Sequence, residues 1–299
     1  MSHPLHGVAP LPSLGVIRAQ GEDAAKFLHG QLTQDFALLG PDEARLAAFC
    51  TAKGRMLASF VGFRRAADDI LLVCSRDVLP ATLKRLAMFV LRAKAKLSDA
   101  SAEFALYGIA GESSAAAPWT LAREGDAVRI QLYPADGQAR SLWVGPAAAP
   151  APAGPALDPA LWQWSEVRGG IATVTAAIVE AFVPQMLNYE SVGGVNFKKG
   201  CYPGQEVVAR SQFRGTLKRR AFVAHCDAEL AAGQEVFQAA EAEQPAGLVA
   251  QAAPAPGGGW DAIVSLQLAA AEAGDLHVQR AGGPALQLLP LPYPLLADV

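Results

Sequence analysis

Of the four cysteines, Cys50, Cys74, Cys201 and Cys226, only Cys201 stands where its neighbours favour a reactive thiol. From Gly193 the chain reads Gly-Gly-Val-Asn-Phe-Lys-Lys-Gly-Cys-Tyr-Pro-Gly-Gln-Glu-Val-Val-Ala-Arg210. Glycines at 193, 194, 200 and 204 allow backbone angles closed to other residues, which predicts a tightly folded loop. Pro203 suits the first position of a helix, and Glu206 and Arg210 then stand four apart in the favourable order for an ion pair. Cys201 thus precedes a helix start, with Lys198 and Lys199 beside it. Both features favour the thiolate, the nucleophilic form. Cys50 and Cys74 lie in apolar, strand-like runs and read as core.

The spacing of the cysteines excludes other chemistry. None forms a C-x-x-C pair, which argues against a zinc ribbon or a local iron–sulfur site, and in a chain of this length against a disulfide framework. The histidines form no metal-binding cluster, so no metal site is expected. Charge is unevenly placed. Residues 198–220 hold seven bases (Lys198, Lys199, Arg210, Arg214, Lys218, Arg219 and Arg220) and one acid, Glu206; this segment is +6 in a chain of net charge −3. It reads as a solvated face or as a seat for an anion such as a carboxylate, a phosphate or RNA. No RNA-binding motif with interleaved aromatics accompanies it.

The elements that must position these residues are legible in outline. Apolar residues make up 52% of the 299 and charged residues 18%, enough for a packed core and far from a disordered composition. No signal peptide and no run of roughly 18 apolar residues is seen, so a soluble cytoplasmic protein is expected. A strand over about 14–19 leads through Gly21 into a short helix over 22–28. Apolar runs 44–51 and 56–63 flank Lys53-Gly54 as a hairpin, a third run covers 70–74, and the spacing of Leu79, Leu83, Leu86 and Val90 predicts an amphipathic helix over about 77–92. The segment 146–159, rich in proline and alanine, reads as a loop, with order resuming at Trp162. Beyond about Leu217, short apolar runs separated by turns predict a small all-β domain.

The segment Lys199-Gly-Cys-Tyr-Pro-Gly-Gln-Glu206, continuing to Ala209-Arg210, resembles the signature of the YgfZ family, relatives of the glycine-cleavage T-protein. Phe27-Leu-His-Gly-Gln-Leu-Thr-Gln-Asp35, Cys50-Thr-Ala-Lys-Gly-Arg-Met56, Phe182-Val-Pro-Gln-Met-Leu-Asn188 and Gly193-Gly-Val-Asn-Phe197 fit the same pattern in the same order, so the resemblance covers most of the chain. It implies an α+β fold: T-protein-like folate-binding lobes of mixed or antiparallel sheets with helices around a central channel over 1–217, the second lobe at roughly 45–105, and a β-barrel over 218–299. It implies tetrahydrofolate or a derivative as ligand, iron–sulfur enzymes as clients, and a link to tRNA modification.

By the same resemblance Cys201 is the working thiol, with Lys199 beside it. Trp162 and the Leu14 region match folate-contacting positions, and an indole can stack on a flat pterin. Lys198, Gly200, Tyr202, Gly204, Gln205, Glu206 and Arg210 complete the expected binding set. Where T-proteins place an acidic residue before Ala-Gly, this chain has Arg168 before Gly169-Gly170. No carboxylate can be assigned to aminomethyl transfer, so the chain is not expected to be a classical aminomethyltransferase. Two other functions compete: a folate-dependent aminomethyl or one-carbon transferase, and a docking module that holds RNA or a protein through the basic segment.

Overall fold

The computed structural model describes residues 5–112, 114–213, 217–241 and 243–296. The first part of the chain gives β1 (Gly7–Pro10), β2 (Leu14–Gln20), α1 (Ala24–Gln31), β3 (Ala44–Cys50), β4 (Met56–Ala66), β5 (Asp69–Ser75), α2 (Leu79–Ala87) and β6 (Lys96–Asp99). Then come β7 (Phe104–Ala110), β8 (Leu121–Glu124), β9 (Ala127–Gln131), β10 (Arg140–Pro146), α3 (Pro159–Arg168) and α4 (Gln205–Phe213). The last part gives β11 (Arg219–Cys226), β12 (Glu235–Gln238), β13 (Gly247–Pro254), β14 (Trp260–Gln267), α5 (Leu268–Ala273), β15 (Leu276–Val278) and β16 (Ala285–Leu289).

Two five-stranded antiparallel sheets form the lobes, in the orders β3-β4-β5-β2-β6 and β1-β7-β10-β9-β8. The lobe expected at roughly 45–105 corresponds to the first sheet, which also draws in β2 from Leu14. All seven residues of β5 are buried, because this sheet is covered on both faces. One face packs under α1 and α2, with Phe27, Leu28, Leu79 and Leu86 in that core. The other faces the second sheet, where Val16, Phe63 and Val73 join Leu106, Ile130 and Leu142.

The expected helix over 77–92 is shorter, ending at Ala87, with Met88, Phe89 and Leu91 exposed beyond it. Asp23 does not cap α1 with its side chain; its carboxylate accepts from Lys94 N instead, at 2.8 Å. The loop at 147–158 is tied down: Val8 N donates to Pro155 O at 2.8 Å and Leu157 N to Val8 O at 2.9 Å.

The strands after residue 218 close into a six-stranded barrel, β11-β14-β13-β12-β15-β16. The barrel shares a core with the lobes, through Met56, Val167, Tyr189, Ala221, Val223 and Ile263. Two polar links fix its position. Asn188, in the left-handed region at φ 58, donates to Ala221 O at 2.8 Å and accepts from Ala221 N at 3.1 Å. Arg220 meets the fully buried Glu190 carboxylate at 2.6 Å. No helix among the described residues is long and apolar enough to cross a membrane.

Candidate functional site

The face of α3 builds one half of the site. Asp158 caps the helix, accepting from Ala160 N at 2.8 Å, and Pro159 opens its first turn. From that start, Trp162 and Glu166 fall four apart on one face. Trp162 is 2% exposed and lies flat on β7 at Gly108, where a Cβ would come within 2.4 Å of its ring. Any side chain at 108 would therefore hold the indole off the sheet.

Trp162 and Glu166 line a mostly apolar cavity of about 90 Å³ between the two sheets, with Leu14, Trp119, Tyr133, Arg140 and Tyr189 among the other walls. The Trp162 indole N–H has no completed hydrogen bond although it is buried. Glu166, partly buried on the wall of this cavity, makes no ion pair among the described residues and has the Trp162 N–H as its polar neighbour. Burial pushes the Glu166 carboxyl up from its ordinary range, while the Arg140 charge and the nearby Trp162 N–H pull the other way. Arg140 sits 5.3 Å above the Trp162 ring and donates to Ser165 Oγ and Tyr133 O, each at 3.2 Å. Burial brings its pKa down to about 10, the Glu166 charge raising it in part.

Arg168 turns away from this cavity. It reaches Asp136 at 3.1 Å and Asp261 at 3.7 Å and lies 5.9 Å above the Trp164 ring, whose N–H donates to Asp261 at 2.7 Å. Trp164 is thus engaged at the barrel seam, and Trp162 is the indole in the cavity. Glu166, two residues before Arg168, is the acid that sequence reasoning missed. Its Trp-x-x-x-Glu spacing on a helix was the available signal.

The cysteine segment forms a second place. Cys201 is exposed while Cys50, Cys74 and Cys226 are buried; burial pushes the Cys50 and Cys74 thiols up to about 12. The helix after Cys201 begins at Gln205, two residues later than Pro203 predicts, because Gly204 takes φ +83, outside helical space. Gly204 also packs against the β3–β4 turn, where a Cβ would come 2.4 Å from Thr51 O. The expected Glu206–Arg210 ion pair forms, on an exposed face.

Lys199 does not extend beside the thiol into solvent. Its residue is 8% exposed, and its ammonium donates to His29 O and, at 2.8 Å, to Leu32 O, the open carbonyls around the end of α1. It also lies 4.5 Å above the ring of Tyr202, itself buried. Burial lowers the Lys199 pKa to about 8, with Asp35 and Cys201 acting to raise it.

These placements divide the expected binding set between two places. Trp162 and Leu14 line the aromatic cavity; Lys198, Lys199, Gly200, Cys201, Tyr202, Gly204, Gln205, Glu206 and Arg210 do not. Lys199, Tyr202 and Gly204 are held by packing within the loop, and Lys198, Glu206 and Arg210 point outward. The +6 segment is not one basic face either, since Lys199 and Arg220 are buried and Arg210 is paired. Arg214 lies outside the described residues.

Two lobes sharing a cavity with a barrel docked against them define a T-protein-like architecture. The solved structure of the glycine cleavage system aminomethyltransferase T from Bartonella henselae superposes with a TM-score of 0.71, covering 96% of this chain and 86% of that one, at 14% identity; this is likeness of fold alone. The tRNA-modifying protein YgfZ of Edwardsiella ictaluri is 33% identical over 224 residues, 69% of this chain and 67% of that protein. The YgfZ of Vibrio vulnificus is 30% identical over 227 residues, 71% and 68% of the two chains, and an uncharacterized protein of Haemophilus influenzae is 30% identical over 212 residues, 70% and 69%. The chain belongs to the YgfZ family. No protein-family model matches it.

Proposed function

We propose that the chain is a folate-binding accessory protein, holding the pterin end of a tetrahydrofolate at the Trp162–Glu166 face and presenting Cys201 as its working thiol. The observation that carries this reading is a buried indole N–H without a completed hydrogen bond among the described residues, beside a carboxylate on the same cavity wall. Buried polar groups are nearly always partnered, so an orphaned N–H with a carboxylate beside it on one cavity wall points to a ligand that engages both. A pterin fits this chemistry. Its amino-pyrimidinone edge offers adjacent N–H donors to a carboxylate and acceptors to an indole N–H, and its flat ring suits aromatic walls. The cavity has room for several waters rather than a whole folate, so the ring enters edge-first and the glutamyl tail stays outside.

The chain's own groups then divide the work. Glu166 orients the ring by accepting from it, and Arg140 supports the Trp162 face and offsets the Glu166 charge. Tetrahydrofolate, when bound, supplies a carrier for one-carbon units. Cys201, exposed on its glycine-folded loop, is the nucleophile available to a client. Its separation from the Trp162 cavity argues for an accessory role over aminomethyl transfer. The name of the relatives, tRNA-modifying protein, together with the family resemblance, favours clients among iron–sulfur enzymes and the tRNA-modification machinery.

Calorimetric titration with tetrahydrofolate and its 5-formyl derivative tests the ligand. Binding is expected, weakened at least tenfold in Trp162→Ala and Glu166→Gln. Absence of binding at millimolar ligand would sink the folate reading.

A further inference from the structure

A second cavity, of about 250 Å³, opens at the seam between the lobes and the barrel, and two arginines share it. Arg55 comes from the β3–β4 turn and Arg219 from the start of β11. Each guanidinium makes one hydrogen bond to a backbone carbonyl, Arg55 to Ala181 O at 2.6 Å and Arg219 to Ala246 O at 2.9 Å. Neither has a carboxylate within 4 Å among the described residues; Glu235, on the cavity rim and exposed, lies beyond that reach of both. Burial lowers the Arg219 pKa and the Arg55 charge lowers it further, so the two cations feel one another. The same wall carries Ser265, 1% exposed, whose hydroxyl has no hydrogen-bond partner among the described residues. Like charges held together beside an orphaned hydroxyl are costly unless something anionic joins them.

We infer that this seam cavity is a binding site for a phosphomonoester, its phosphate held between Arg55 and Arg219 with Ser265 as a further donor. Two guanidiniums call for about two negative charges, which a phosphomonoester carries near pH 7 and a carboxylate or phosphodiester does not. Planar guanidinium forks match phosphate oxygens. The cavity is larger than a phosphate needs, and Phe182, Met186 and Leu248 give it apolar walls for the ester's organic body. The site also adjoins the thiol loop, since the β3–β4 turn that carries Arg55 packs at Gly54 against Gly204 and Val207. It does not depend on the folate reading.

The test is calorimetric titration of the full chain with inorganic phosphate, phenyl phosphate and adenosine 5′-monophosphate at constant ionic strength. Wild type should bind a phosphate compound in the millimolar range or better, more tightly at pH 7.5 than at pH 5, because the second ionisation lies near pH 6. Arg219→Gln and Arg55→Gln should each weaken binding about tenfold or more, and Arg219→Lys should lose less. Tighter binding of the esters than of inorganic phosphate supports the apolar walls as part of the site; equal binding reduces the ligand to free phosphate. Circular dichroism guards against misfolding, and if Arg55→Gln fails to fold, Arg219→Gln decides. No binding to wild type at 20 mM (roughly the weakest affinity two such contacts would leave), or unchanged affinity in folded Arg219→Gln, overturns the inference.

Discussion

Replacing Gly108 by alanine separates the role of Trp162 in the cavity from its role in the core. The new methyl would stand 2.4, 2.4 and 2.5 Å from three atoms of the Trp162 ring, so the indole must retreat by about 1 Å to reach ordinary contact distance of roughly 3.5 Å. Overpacking of this kind costs about 1–3 kcal/mol, a fall of several degrees in Tm for a chain of this size. The retreat also lifts the indole off its strand and displaces its N–H from Glu166, so tetrahydrofolate affinity should drop at least tenfold. Gly145→Ala is the matched control. Its methyl would meet the Trp143 ring at 2.2 Å in the same sheet, but Trp143 packs in a separate cluster with Val8, Ile109 and Ala127. It should lose comparable stability and keep ligand affinity. Both variants would be followed by thermal unfolding and calorimetric titration. Equal affinity in Gly108→Ala and wild type, with stability lowered, would refute the placement of the ligand on Trp162.

Under native conditions a maleimide should modify one thiol, Cys201, by mass spectrometry, and all four only after denaturation, since Cys50, Cys74 and Cys226 are buried; early labelling of Cys50 or Cys74 would contradict the packing. Glu166 sets a pH dependence. Burial raises its pKa in the folded chain, so the folded state keeps the proton to higher pH than the unfolded chain, whose carboxyl titrates near about 4.3. Folding stability from this residue therefore falls as pH rises above that value, and Glu166→Gln should flatten the decline while weakening ligand binding. A steeper decline in Glu166→Gln than in wild type would reverse the sign of the argument.

Much of this was legible in the sequence, and the misses have physical reasons. Gly54 marked the β3–β4 hairpin, the alternation after Leu217 marked the barrel, and the Glu206–Arg210 spacing gave the ion pair. The second sheet, β1 with β7–β10, is not legible locally, because it joins strands about a hundred residues apart through pairings such as Gly7 with Ala110, and local pattern carries no trace of that register. Lys199 looked like an electrostatic partner for Cys201, yet the end of α1 draws its ammonium inward. Pro203 promised a helix start that Gly204 postpones. In the cavity, Trp162 is legible through resemblance, whereas Glu166 is masked by Arg168, which stands nearer the Gly169-Gly170 pair where the family pattern places its acid. Only the packing of α3 on Gly108 shows which of the two charged residues lines the cavity.

The central claim is tested most directly by a crystal structure of the chain grown with tetrahydrofolate. The pterin edge is expected within hydrogen-bond distance of the Glu166 carboxylate, its ring against Trp162, and the glutamyl tail leaving the cavity. A folate ordered at the Cys201 loop or in the Arg55–Arg219 seam, with the Trp162–Glu166 face still vacant, would contradict it.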